Sequence, residues 1–157
     1  MKSQYSEMFE FRAVDHTAID ALMNVELACH SFPWSRKTMT SCIGGRYFNL
    51  AAFEQDKLVG FYIGEQAGSD YTLMDICVHP NWQRRGLAKA LLSRFIEHCQ
   101  QHQAENIFLE VRESNLSAIR LYENAGFVEM GVRKNYYPTA DGHEHAILMG
   151  LTFFNFE

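Results

Sequence analysis

From Gly86 onward the apolar residues Ala88, Leu91, Leu92, Phe95, Ile96 and Cys99 fall three and four positions apart, which predicts a long helix with one buried face. A second helical face is read from Ile19, Leu22, Met23 and Leu27, opened by Thr17-Ala18-Ile19-Asp20 as a capping box. Pro33 stops that helix. Ser35 caps a short one carrying Met39, Cys42 and Ile43, and Gly44-Gly45 ends it. A fourth helix starts at Ser114-Asn115, buries Ala118, Leu121, Tyr122 and Ala125, and stops at Gly126. Between the helices lie strand patterns. Residues 9–13 form a short strand, and 48–54 with 58–64 form a hairpin around Gln55-Asp56-Lys57. Gly68-Ser69-Asp70 turns the chain into a strand over 71–78. Residues 107–111 are apolar except Glu110, the pattern of a strand covered on both faces. Residues 128–135 and 144–151 pair antiparallel, with 136–142 as the loop between them. Strands and helices together make an α/β chain.

Composition narrows the class. A chain of 157 residues fits a single domain over 1–157 with one substantial core. Hydrophobic content of 47% and charged content of 21% are those of an ordinary soluble protein. A net charge of −5 argues against general nucleic-acid binding and for a basic partner. The cysteines Cys29, Cys42, Cys77 and Cys99 show no Cys-x-x-Cys spacing, so reduced thiols in a cytoplasm are expected. Residues 1–7 hold no apolar signal core, and no apolar run is long enough to span a membrane.

The chemistry concentrates in residues 75–89. His79-Pro80-Asn81 breaks the strand, because proline lacks the N–H that a ladder needs. A helix follows at once. Its first N–H groups have no internal partner, and Gly86 and the small Ala88 let a ligand approach them. With Arg84 and Arg85 alongside, this is a ready anion site. Glu110 is the other candidate, since a carboxylate in an apolar strand needs a partner, solvent or a function. His98 and His102 stand four apart, but Cys-Gln-Gln between them replaces the Glu of a zinc-protease helix, so both are read as solvated. His143 and His145 lack further ligands nearby in sequence. The lone cysteines lack sequence neighbours that would activate them as nucleophiles.

Gln83-Arg84-Arg85-Gly86-Leu87-Ala88 reads Gln-x-x-Gly-x-Ala and resembles the pyrophosphate loop of the GNAT N-acetyltransferases. The run 115–127, Asn-x-x-Ala-x-x-Leu-Tyr-x-x-x-Gly-Phe, is similar to a second motif of that family. The resemblance spans roughly residues 9–151. It implies a mixed central sheet of about seven strands flanked by about four helices, with the strands ending at Val78 and Val111 splayed to admit acetyl-CoA as acetyl donor. By the resemblance, Ile76, Cys77 and Val78 offer backbone to the pantetheine arm. Gln83, Arg84, Arg85, Gly86, Leu87, Ala88 and Lys89 hold the pyrophosphate, and Asn115 hydrogen-bonds the cofactor. Glu110 stands at the general base and Tyr122 at the general acid. Phe32-Pro33-Trp34-Ser35, Leu109-Glu110-Val111-Arg112 and 133–142, with its Arg-x-Asn-Tyr-Tyr-Pro, resemble a bacterial branch that acetylates the N-terminal alanine of the eighteenth small-subunit ribosomal protein. The implied partner is that basic N-terminus, with Trp34, Tyr136 and Tyr137 as substrate contacts. No nucleic acid, membrane or metal is called for, and a monomer is favoured. Ala88 replaces a frequent second glycine, and 153–156, Phe-Phe-Asn-Phe, has no family counterpart.

The chemistry agrees with these residue types. The amine must lose a proton before it attacks a thioester. An N-terminal amine, with a pKa of about 8 against about 10.4 for lysine, needs roughly 3.4 kcal/mol less work to do so. A carboxylate acting directly or through a water suits that step, and a phenol can return a proton to the departing thiolate. Three readings stand: an N-terminal-alanine acetyltransferase, an acetyltransferase of lysine or a small amine, and a non-catalytic acyl-CoA-binding module. The presence of both Glu110 and Tyr122 argues against the third.

Overall fold

The computed structural model describes residues 8–153. The opening 1–7 and the tail residues 154–157 lie outside the described residues, and with them most of the aromatic tail. The elements run β1 (Glu10–Arg12), α1 (Ile19–Cys29), α2 (Arg36–Ser41), β2 (Tyr47–Glu54), β3 (Lys57–Ala67), β4 (Asp70–Val78), α3 (Leu87–Gln101), β5 (Asn106–Arg112), α4 (Leu116–Asn124), β6 (Val128–Thr139) and β7 (Gly142–Thr152). The strands form one seven-stranded sheet in the order β1-β2-β3-β4-β5-β7-β6. Only β4 and β5 pair parallel, across the α3 crossover; the other pairs are antiparallel.

Side chains alternate across a strand, so the sheet buries two faces. Phe61 and Ile63 of β3 pack with Leu22 and Val25 of α1 and Met39 of α2. Val59 and Tyr62 pack the other way, with Leu91 and Phe95 of α3 and Tyr122 of α4. Helices therefore cover both faces of the mixed sheet, as the resemblance implies. α3 lies close to β3 because Gly60 has no side chain. A Cβ there would sit 3.0 Å from the Cys77 carbonyl oxygen and 3.3 Å from both Leu87 and Leu91.

The site is positioned by one irregularity. Along β3 and β4 the register passes from Ile63↔Asp75 to Gly64↔Leu73, leaving Met74 as an extra residue. Such a bulge bends its strand and increases the local twist. β4 then pairs with β5 only at Asp70↔Asn106, Tyr71↔Ile107 and Thr72↔Phe108. Beyond Thr72 and Phe108 the two strands part, which is the expected splay.

Five expectations are corrected. Asp15, not Thr17, caps the start of the first helical segment: its Oδ1 accepts from the Thr17 N–H at 2.9 Å and opens a 3-10 turn before α1. Leu27 is 61% exposed while Glu26 is 1% exposed, so the inner stripe of α1 passes through a carboxylate that an apolar pattern discounts. β5 is covered fully on one face only. Ile107, Leu109 and Val111 are buried, but Phe108 and Glu110 are half-buried, because α1 and α2 pack over β2 to β4. The predicted loop 136–142 is mostly strand. β6 runs to Thr139, a bulge with Asn135 at φ 53° takes up the irregular sequence, and only Ala140 and Asp141 turn the chain. His98 is half-buried rather than fully solvated, its ring stacked between Phe48 at 4.2 Å and the exposed His102 at 4.1 Å.

Candidate active site

One end of the parted strands is a cradle of backbone. After Val78 the chain makes a 3-10 turn over Pro80–Trp82, opened by His79, whose Nδ1 accepts from the Asn81 N–H at 3.2 Å. Trp82 is pinned by its Nε1 donating to Glu54 and by Lys57 4.9 Å over its ring. The Gln83 side chain donates to the Val78 carbonyl at 2.9 Å, fastening the loop to the end of β4. Arg84 and Gly86 adopt left-handed conformations, φ 63° and 79°, which turn the loop into α3. The intrahelical bond from Ala90 N–H to the Gly86 carbonyl, 3.0 Å, leaves Leu87, Ala88 and Lys89 as the first-turn donors that a helix cannot satisfy itself. A Cβ built on Gly86 meets nothing within 4 Å, so the cradle is open. Exposed Arg84, Arg85 and Lys89 add positive charge. Free N–H groups, the helix dipole and three cations fit the pyrophosphate of a coenzyme A. Among the described residues, Ile76, Cys77 and Val78 pair with β3 on one side only, which leaves their other edge open to an added strand-like ligand.

The second wall comes from β5, β6 and the segment between α1 and α2. Glu110 Oε1 pairs with Arg133 Nε at 3.1 Å, with 27% of its side chain exposed. Arg112 Nη1 donates to the Pro138 carbonyl at 2.7 Å and to Glu144 at 3.2 Å. Its guanidinium also lies 4.9 Å over Phe32 and 4.6 Å over Tyr137, so it joins three chain segments at the end of β5. Burial, with the Glu110 charge next, pushes the Tyr137 phenol up to about 12. Tyr136 is 49% exposed beside Arg133, whereas Trp34 is half-buried against the α1–α2 core. Tyr122, 6% exposed, packs on Phe127. Burial pushes its phenol well up, with a contribution from the Asp75 charge, so it remains a protonated donor at neutral pH. Asn115 caps α4 by accepting from the Ala118 N–H at 3.2 Å, which leaves its amide hydrogens for a ligand.

The sequence reading missed a third group. Glu26, His30, Asp75 and Cys77 converge between α1 and β4. His30 Nε2 is 3.0 Å from Asp75 Oδ1 and 2.9 Å from Cys77 Sγ. Glu26 accepts from the Trp34 N–H at 2.9 Å and from the Cys77 thiol at 3.2 Å. Burial first, then the neighbouring Asp75, raises Glu26 to about 8. Burial opposes charge on His30, but the hydrogen bond and charge of Asp75 prevail and raise it to about 9. Cys29 is lowered to about 6, first by a hydrogen bond from Cys77. The only signal in the sequence was a glutamate on the apolar stripe of α1.

This group makes stability depend on pH. Glu26 rises from 4.5 in the unfolded chain, so its contribution is complete below 4.5 and is lost as pH rises through about 8. That of His30 is complete below 6.5 and is lost through about 9. Cys29 acts in the opposite sense: its contribution is present above 9 and is lost as pH falls through about 6. Between pH 6.5 and 8 two losses meet one gain. Net destabilisation is on the order of 1 kcal/mol after discounting the partly exposed His30 and Cys29. Thermal unfolding should occur at lower temperature at pH 8 than at 6.5, and Glu26→Gln should flatten that difference. An unchanged or rising melting temperature in the wild type would contradict the assignment.

Comparison with known proteins agrees with this architecture. The model of the acetyltransferase (GNAT) family matches residues 19–127. The [ribosomal protein bS18]-alanine N-acetyltransferase of Escherichia coli K12 is 42% identical over 139 residues, covering 88% of this chain and 94% of the relative. The protein of that name from Haemophilus influenzae is 39% identical over 131 residues, covering 83% and 89%. The finer resemblance, to the branch called RimI, is thus met. The crystal structure of the E. coli ribosomal-protein-S18-alanine N-acetyltransferase superposes with a TM-score of 0.90 at 41% identity, covering 92% of this chain and 94% of that one. Arabidopsis thaliana NAA60 in complex with acetyl-CoA, at 17% identity and a TM-score of 0.82 over 92% and 98% of the chains, shares the fold. By family model, sequence and superposition, the chain belongs to the GNAT acetyltransferase family.

Proposed function

We propose that the protein transfers an acetyl group from acetyl-CoA to the α-amine of an N-terminal alanine, that of ribosomal protein bS18. The observation that carries this reading is the 42% identity to a bS18-alanine N-acetyltransferase over 88% of the chain. The open Gly86 cradle and the parted strands supply a place for the donor. In this reading the chain acts as one catalytic domain in the cytoplasm. Residues Gln83 to Lys89 and Asn115 hold the donor, with Gln83 acting through its tether to Val78. The free edge of Ile76–Val78 orients the pantetheine arm. Glu110 takes the proton from the amine, directly or through a water, and Arg133 holds its carboxylate in place. The buried Tyr122 gives a proton to the departing thiolate. Tyr136 and Tyr137 border the entry for the peptide, and Trp34 supports that wall from within. The second reading, acetylation of lysine or a small amine, shares the donor site and differs only at this entry.

A peptide panel separates the two readings. A peptide beginning Ala-Arg is expected to be acetylated at its α-amine. The same peptide with a blocked N-terminus and a free lysine should react far more slowly, given the roughly 3.4 kcal/mol of extra deprotonation work. Raising salt should increase KM more than it lowers kcat, because attraction between exposed charges is screened. Lysine side chains reacting as fast as the α-amine, read by mass spectrometry, would replace this reading with the second.

A further inference from the structure

The cluster between α1 and β4 contains more lone pairs than protons to bridge them. His30 Nε2 faces Cys77 Sγ at 2.9 Å, Asp75 Oδ1 at 3.0 Å and Glu26 Oε1 at 3.8 Å. Cys77 Sγ in turn faces Glu26 Oε1 at 3.2 Å and Asp75 Oδ1 at 3.5 Å. Even with a proton on Glu26 as well as on the His30 ring nitrogen and the Cys77 thiol, three protons cannot bridge all five contacts. Donor atoms of Glu26, His30, Asp75 and Cys77 lie within 4.8 Å of one another, and so do those of Cys29, His30 and Cys77. The side chain of Asp75 is 7% exposed, and among the described residues its buried Oδ2 has no hydrogen-bond partner. Converging sulfur, nitrogen and oxygen lone pairs, with one carboxylate oxygen unsatisfied, form a cation site rather than a complete hydrogen-bond network.

We infer that Cys29, His30 and Cys77 hold a zinc ion beside the parted strands on their α1 side, with the Asp75 carboxylate, which lies against His30 and Cys77, closing in as the fourth ligand. Two sulfurs, an imidazole and a carboxylate are donors that zinc takes in tetrahedral geometry. Bonds of about 2.3 Å to sulfur and about 2.0 Å to nitrogen or oxygen imply donor separations of about 3.3–3.7 Å. Among His30, Cys77 and Asp75 the observed 2.9–3.5 Å reaches that range by an expansion of up to about half an ångström, and Cys29, within 4.8 Å of His30 and Cys77, closes toward the ion. Local structure brings adjacent residues to one ion. Cys29 is the last residue of α1, and His30 leaves the helix extended, at φ −114° and ψ 138°. His30, with 35% of its side chain exposed, gives a path of entry. Glu26 braces the site from behind, through the Trp34 N–H and Cys77. A bound ion ties α1 to β4 at Cys77, whose backbone the acetyl-transfer reading uses. On that reading, occupancy slows the reaction.

The test is a titration of the reduced full-length protein with Co²⁺, which reports its ligands by absorption. Expected are one equivalent bound, thiolate-to-cobalt charge-transfer bands, ligand-field bands of a tetrahedral ion, and displacement by Zn²⁺. Cys29→Ser and His30→Gln should each weaken Co²⁺ binding by at least about 10-fold. Cys29→Ser should also keep acetyl transfer while losing its inhibition by Zn²⁺. Absence of a thiolate-to-cobalt band in the wild type overturns the site, whether or not the variants fold. Wild-type affinity in folded Cys29→Ser and His30→Gln overturns it too. Binding without inhibition leaves the zinc site standing and removes only its link to acetyl transfer.

Discussion

Gly86→Glu is expected to reduce acetyl-CoA binding below detection while the protein still folds. Gly86 sits at φ 79°, where an L side chain costs about 1–2 kcal/mol. A Cβ there meets nothing within 4 Å, so the new side chain finds room in the free protein and the fold survives that cost. The room is the cradle itself. A carboxylate placed at the first turn of α3 would occupy the anion site and repel the pyrophosphate proposed to bind there. Gly86→Ala separates the causes, since it carries the backbone strain without the charge and should lose much less affinity. Calorimetry showing near-normal acetyl-CoA affinity in folded Gly86→Glu would take this loop out of the donor site.

Glu110→Gln is expected to lower turnover by about 10²-fold or more, with acetyl-CoA affinity little changed. The substitution keeps the shape and removes the base. It also releases Arg133, but that side chain is 55% exposed, and an exposed ion pair contributes little to stability. A loss of rate without a matching loss of melting temperature therefore identifies a chemical role. Tyr122→Phe should lower turnover too, because it removes the phenol proton while keeping the ring packed on Phe127. If Glu110→Gln turns over at near wild-type rate at neutral pH, Glu110 is a structural partner of Arg133 and the base lies elsewhere. His30, half-buried beside Asp75 and Cys77 of β4, would then be the next candidate.

What the sequence determined by itself was whatever a short stretch of chain specifies. The period of Leu91, Leu92, Phe95 and Cys99 placed α3, and Ser35 and Asn115 cap their helices through bonds to residues three positions on. The Gln83–Lys89 loop was legible because its parts are contiguous, a proline break, a left-handed glycine and a helix start. Pattern failed where packing overrode it. Leu27 lies outside and Glu26 inside, because burial follows which face meets the sheet rather than which residue is apolar. The Tyr136–Pro138 stretch reads as a loop from its proline, yet edge strand β6 tolerates a proline whose missing N–H would have faced outward. The tertiary structure alone decided the rest. The Met74 bulge that parts β4 from β5 shows only when β4 is set against β3. Glu110 meets Arg133 only through the β5-β7-β6 order of the sheet. Cys77 reaches His30 across a sequence separation of 47, through the packing of α1 on β4. Local periodicity and turn chemistry act over a few residues, whereas the convergence of charges and sulfurs depends on how distant elements pack.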